Sequence, residues 1–269
     1  MRVGAYQFSV TSDINTNFEK IKYAINEAKE RQVKLLVFPE CALTGYPPRD
    51  IGSSAEVDFQ KLAVVYNKLQ ESSNLFDMHI IVGTITQENS KYYNTAMIFS
   101  PFQEKQIYSK RALWGWDRDN FTIGNTEGVI SIGNWKIGIR ICFEIRFPEF
   151  FRELYKKQTD LNIVMFYDVS DYNDVSRYEM IKSHILTRAV ENVTYTLTVN
   201  AIAPFQTAPT ILYDRSGQAL CELLRNEEGL LLYDLEQKAN DFGEAGRKEV
   251  TDWLLSNACD TCLSGMQVK

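Results

Sequence analysis

Apolar positions along the chain follow two periods, and the switches between them mark the elements. Val3 to Val10 alternates, with Val3, Ala5, Gln7 and Ser9 on one face, which predicts a strand. Phe18, Ile21, Ile25 and Ala28 then recur every three or four residues and predict a helix over residues 15–31, with Ser12 or Asp13 as its cap. Residues 34–38 are a short apolar run ending in Pro39-Glu40. Gly45, Pro47, Pro48 and Gly52 mark the stretch from Cys41 to Ser54 as loop. A second helix fits residues 57–71, and strands fit 79–85, 92–99 and 103–108. Residues 111–125 read as a polar-aromatic loop. Further on, residues 129–132 and 135–141 form a hairpin around Gly133-Asn134, residues 148–156 and 176–191 are helices, and strands start at Leu161, Thr194, Pro209, Ala219 and Leu230. Helices and strands alternate early, and hairpins dominate late. That order predicts an α/β chain of mixed sheets with helices outside, not a purely parallel sheet. No linker divides the chain. One domain is expected over residues 1–250, then a C-terminal extension, 251–269, expected to be flexible or to lie at a subunit interface.

Composition narrows the classes. With 45% hydrophobic and 24% charged residues the chain is globular, not disordered. A net charge of -6 argues against nucleic acid as partner, because phosphate neutralisation needs an excess of Lys and Arg. No apolar run is long enough for a membrane span, and the start MRVGAYQFSV lacks a secretory pattern, so a cytoplasmic location with reduced cysteines is expected. The cysteine count of 5 is odd and cannot pair fully. Only two histidines are present, His79 and His184, which weakens any His-rich metal site or Cys-His pair. Cys259 and Cys262 have a redox or zinc spacing but stand without a second pair.

Three polar residues close apolar strands: Glu40 after KLLVFP, Lys110 after QIYS and Cys142 after WKIGIRI. Strand ends are where a rigid scaffold delivers groups to a site. The strings FPECALTGY, IYSKRAL and GIRICFEIRFPEFFREL, with RAVEN at 188–192 and a strand ending at Asn200, resemble the nitrilase, or carbon-nitrogen hydrolase, superfamily in order and separation. The resemblance implies a four-layer α-β-β-α sandwich. It also implies a Glu40-Lys110-Cys142 catalytic set acting on a small linear amide or N-carbamoyl compound through a thioester, with no metal or organic cofactor. A thiol is mostly protonated at neutral pH, so a carboxylate that takes its proton and an ammonium that favours the thiolate make chemical sense beside it. Lys110 and the backbone N–H of Phe143 would hold the oxyanion. Nitrile hydrolysis, acyl transfer to an amine, and a binding protein that has lost turnover remain alternatives on the same residues.

Where many relatives carry a Glu seven residues after the lysine, this chain has Asp117, one methylene shorter, expected to support Lys110 or orient the substrate. Phe166 is expected to tighten the pocket, and Asp168 to receive a cationic substrate end or amine; Tyr167 stands between them. Tyr46, Trp114 and Trp116 are wall candidates. Arg146 and Glu149 are read as structural, tying the cysteine turn to its following helix, and Arg188 with Glu191 as an ion pair. Relatives also pair through the helices near the nucleophile and a C-terminal arm, which implies a homodimer or higher homo-oligomer. Phe150, Phe151, Leu154 and Tyr155 are expected to supply an exposed apolar patch there.

Overall fold

The computed structural model describes residues 1–264, and the side chains of 1–257. Its first half runs β1 (Arg2–Gln7), α1 (Ile14–Glu30), β2 (Leu35–Val37), α2 (Phe59–Phe76), β3 (His79–Glu88), β4 (Lys91–Phe99), β5 (Gln106–Ser109) and α3 (Trp116–Asn120). Then come β6 (Val129–Ile132), β7 (Trp135–Ile141), a 3-10 turn at Cys142–Arg146, α4 (Pro148–Lys156), β8 (Leu161–Phe166), β9 (Val169–Ser170) and α5 (Val175–Asn192). β10 (Tyr195–Asn200), β11 (Phe205–Gln206), β12 (Ile211–Tyr213), β13 (Ala219–Glu222), β14 (Gly229–Asp234) and α6 (Phe242–Ser264) complete the described chain.

Two mixed sheets form, in the orders β14-β1-β2-β3-β4-β5 and β13-β12-β10-β8-β7-β6. β1, β2 and β3 run parallel in one, as do β7, β8 and β10 in the other. The period of two along each strand divides the side chains between layers. Val3, Ala5, Leu35, Val37 and Ile81 meet Ile137, Ile139, Ile163 and Met165 between the sheets. Tyr6, Leu36, Phe38, Ile80 and Val82 face outward, onto the apolar side of α1 and α2. Val164 and Phe166 face the other way, onto α4 and α5. The result is the expected four-layer α-β-β-α sandwich, and both faces of the central strands are dry. β1 is therefore buried along nearly its whole length.

Asp13 caps α1, accepting from the backbone N–H groups of Asn15 and Thr16 at 3.3 and 3.0 Å. The expected loop after Lys110 contains the short helix α3, which starts behind Gly115. The predicted surface patch on α4 does not form. Phe151, Leu154 and Tyr155 are buried within the chain, and Phe150 is covered by Arg111 and Arg140. Exposed apolar side chains lie instead on α6, at Val250, Trp253 and Leu254. α6 docks through polar contacts such as Tyr155 Oη to Asp252 at 2.7 Å, which an apolar period does not reveal. The side chains of Cys259 and Cys262 lie outside the described residues, as do residues 265–269 of the extension. Among the described residues no helix is long and apolar enough to cross a membrane.

Parallel strands that share a direction leave their carboxyl ends at one edge, where α/β sheets gather ligands. β2 leads to Glu40 three residues on, β7 to Cys142, and β8 to Tyr167 and Asp168. The turn carrying Glu40 lies directly on Gly83 of β3. A Cβ there would stand 2.1 Å from Pro39 O and 2.6 Å from Glu40 Cα. Gly83→Ala should therefore lower stability by about 2 kcal/mol or more, through forced backbone movement in a packed core. Urea unfolding measures this, and an unchanged midpoint would contradict the close approach.

Candidate active site

Three buried ionisable groups form the floor of the site. Lys110 Nζ lies 2.8 Å from Glu40 Oε1 and 2.8 Å from Asp117 Oδ2, with all three side chains almost wholly buried. Glu40 is fixed on both oxygens: Oε1 also accepts from Asn94 Nδ2 at 2.6 Å, and Oε2 from the backbone N–H of Tyr167 at 2.7 Å. Asp117 Oδ1 accepts from Tyr46 Oη at 2.7 Å. The shorter aspartate thus reaches Lys110 at full hydrogen-bond distance, because α3 begins one residue before it and carries its backbone inward. Tyr46 stacks on Tyr167 with centroids 5.1 Å apart, and Asp50 accepts from the Tyr46 backbone N–H at 2.8 Å.

Charge follows from this packing. Burial pushes the Glu40 carboxyl above its ordinary range, against the pull of Lys110. Burial lowers Lys110, but Glu40, Cys142 and Asp117 outweigh it and hold the ammonium well above the usual lysine value. Burial, then the Glu40 carboxylate, pushes the Cys142 thiol well up, with Lys110 opposing. Burial and the neighbouring carboxylate thus both favour the protonated form of the Cys142 thiol.

Cys142 opens the 3-10 turn with φ 47°, in the left-handed region that non-glycine residues rarely adopt. It opens onto a cavity of about 550 Å³, lined also by Tyr46, Lys110, Asp117, Phe143, Tyr167 and Asp168. The exposed rings of Trp114 and Trp116 line it too. Phe166 does not line it. Its place on the strand turns it into the α4–α5 core, so it cannot tighten the pocket. Asp168 lines the cavity but is already engaged, by Arg177 Nη2 at 2.8 Å and by the Thr207 hydroxyl, so it offers no free carboxylate to a cationic substrate. Arg146, read from sequence as structural, also lines the cavity, whereas Glu149 is exposed. Arg188 does pair with Glu191, at 2.8 Å, and its Nε donates to Ile145 O in the cysteine turn at 3.0 Å.

Sequence reasoning passed over Asn94, Arg177 and Glu144. Asn94 had a signal, a strand-averse residue inside the strand KYYNTAMIF. Arg177 had none, since only the fold brings α5 to the cavity.

The layers and the site define a sandwich hydrolase with a buried carboxylate-lysine pair beside a cavity cysteine. The chain belongs to the carbon-nitrogen hydrolase family, whose model matches residues 2–241, and it is a carbon-nitrogen hydrolase of the nitrilase superfamily. An (R)-stereoselective amidase from Pseudomonas sp. is 25% identical over 211 residues, 76% of this chain and 74% of that protein. A glutamine-dependent NAD(+) synthetase from Aquifex aeolicus is 24% identical over 251 residues, which are 89% of this chain but 42% of that longer protein. Among solved structures, an amidase mutant from Nesterenkonia sp. AN1 shares the fold with TM-score 0.77 at 23% identity, covering 88% of this chain and 93% of that one. That structure shows acrylamide added to the amidase's own active-site cysteine.

The geometry predicts unequal losses. Asp117→Asn should lower turnover by about tenfold to a hundredfold, because Lys110 loses one of its two anchors. Glu40→Gln should lower it further. Asp117→Glu should also lose turnover, since both oxygens already stand at hydrogen-bond distance and an extra methylene shifts them off Tyr46 and Lys110. Steady-state and burst kinetics on one accepted amide decide it. Wild-type rates in Asp117→Asn would reduce the aspartate to a packing residue.

Proposed function

We propose that the protein is an amidase that hydrolyses a linear amide through a thioester on Cys142, with Glu40, Lys110 and Cys142 as its catalytic set. The observation that carries this reading is the cavity cysteine in a left-handed turn, beside a lysine buried between two carboxylates. Glu40 takes the Cys142 proton as the sulfur attacks the amide carbonyl. Lys110 and the backbone N–H of Phe143 stabilise the oxyanion, each worth about 3 to 4 kcal/mol in the transition state. The C–N bond then breaks and the amine leaves with the proton from Glu40. A water that gives its proton to Glu40 attacks the thioester, releasing the acid and the thiol. The acrylamide adduct on the Nesterenkonia amidase's own active-site cysteine supports a reactive cysteine in such a fold.

The charges along the cavity point to the acyl part of the substrate. Arg49 pairs with Asp171 at 2.5 Å, Arg177 with Asp168 and Lys110 with its two acids. Among the described residues, Arg146 alone of these lining cations has no carboxylate within ion-pair distance. It touches Met180 Sδ at 3.9 Å and lies over the Phe143 ring. A guanidinium so placed suits a carboxylate on the acyl chain. We also propose a homodimer, formed over the exposed Val250, Trp253 and Leu254 of α6.

Three measurements test these readings. Intact mass after incubation with an amide panel should show an acyl adduct on wild type and none on Cys142→Ala, whose hydrolysis is abolished while its thermal unfolding stays near wild type. Turnover retained in that variant would end the thioester reading. For a dicarboxylic acid monoamide, Arg146→Gln should raise KM by about tenfold or more, with less than about threefold change for the neutral amide of equal length. Equal effects on both would remove the carboxylate from the substrate. Light scattering should give a mass near twice 31.0 kDa, and a fully active monomer would contradict the dimer.

A further inference from the structure

Lys110 and Cys142 stand on different sheets, and a buried carboxylate that none of the proposed steps uses joins their segments. Glu144 is the third residue of the cysteine turn and is completely buried. Its Oε1 accepts from the backbone N–H groups of Arg111 at 2.7 Å and Ala112 at 3.4 Å. Its Oε2 accepts from the Ile141 N–H at 2.7 Å. Tyr108 Oη bridges the two oxygens, at 2.7 and 2.8 Å. The carboxylate therefore holds the chain on both sides of Lys110 and directly before Cys142.

Two features make the arrangement demanding. Every neighbour is a donor, so only an acceptor-only group satisfies the set. An amide in its place would turn an N–H against another N–H. The bond from Ile141 also closes the turn in which Cys142 adopts its left-handed conformation. A carboxylate with this wiring fixes the lysine ammonium relative to the sulfur while remaining out of reach of anything in the cavity.

We infer that Glu144 is a positioning residue that holds Lys110 in register with Cys142 across the two sheets. The inference rests on the Glu40-Lys110-Cys142 reading above. Its consequence is specific: without Glu144, the ammonium no longer stands where it favours a negative sulfur, so both turnover and the intrinsic reactivity of the thiol change, while substrate affinity does not.

The test uses the full chain with Glu144→Gln, Glu144→Asp and Tyr108→Phe. Thermal unfolding reports folding. Kinetics on one accepted amide separate kcat from KM. The pH profile of Cys142 alkylation by iodoacetamide, followed by mass, reads the thiol without any hydrolysis, since sulfur displaces iodide directly. Folded Glu144→Gln should lose about a hundredfold or more in kcat, with KM within about threefold of wild type. Its alkylation midpoint should rise by about one pH unit or more, from loss of the nearby opposite charge. Glu144→Asp, which keeps the acceptors but shortens the reach, should fall between. Tyr108→Phe removes one donor and should move kcat and the midpoint the same way by a smaller amount. A folded Glu144→Gln with the wild-type alkylation profile and kcat within about threefold would overturn the inference. If that variant does not fold, a wild-type profile in Tyr108→Phe overturns it instead. A wild type that hydrolyses no amide would sink the proposed function, while the alkylation profiles would still decide the role of Glu144.

Discussion

A lysine ammonium buried between two carboxylates is the constraint around which the rest of this molecule is arranged. Taking each such ion out of water costs several kcal/mol, and only close opposite charge with complete hydrogen bonding offsets it. Lys110, Glu40 and Asp117 supply the charge, and Asn94, Tyr46 and the Tyr167 N–H supply the remaining bonds. Removing Lys110 would leave two carboxylates without their cation in a low-dielectric interior. The triad therefore dictates which residues may surround it, and it supplies an oriented ammonium and a desolvated carboxylate where the cavity meets its floor.

Because these groups are buried, they must be delivered by rigid elements, and the back-to-back sheets do this. Glu40 and Lys110 follow strands of one sheet, while Cys142 and the Tyr167 N–H follow strands of the other. The apolar layer between the sheets fixes their spacing. Polar ties then cross the gap at its edge: the Glu40 N–H donates to Phe166 O at 3.2 Å, and the Glu144 carboxylate takes donors from both sheets' segments. Local strain at Cys142 persists because the surroundings over-determine the turn.

The cavity above the floor has a different character. Its walls carry charged and aromatic side chains, with Arg49 and Arg177 paired to Asp171 and Asp168. The floor's ions are paired among themselves, apart from the charges of the wall. That division separates Glu40, Lys110 and Cys142, which short strings mark in the sequence, from the wall, which they do not.

The sequence by itself determined the order of elements, the mixed sheets, the four layers through its resemblance, and the three strand-end residues Glu40, Lys110 and Cys142. Those rest on local period, turn residues and short strings, which a linear chain displays directly. It misjudged what depends on three-dimensional direction. Phe166 was assigned to the pocket but faces α5, because a strand alternates its sides and nothing local says which side is the cavity. Asp168 seemed free because its partner Arg177 comes from a helix start that only folding brings near. Asp117 seemed short because α3 was invisible in a loop of mixed residues. The place of Arg146 at the cavity wall was not legible, and α6 went unseen because polar contacts, not an apolar stripe, hold it down. Periodicity records how much of an element is buried, while tertiary structure decides against what, and the reach, pairing and charge of a side chain follow from that second fact.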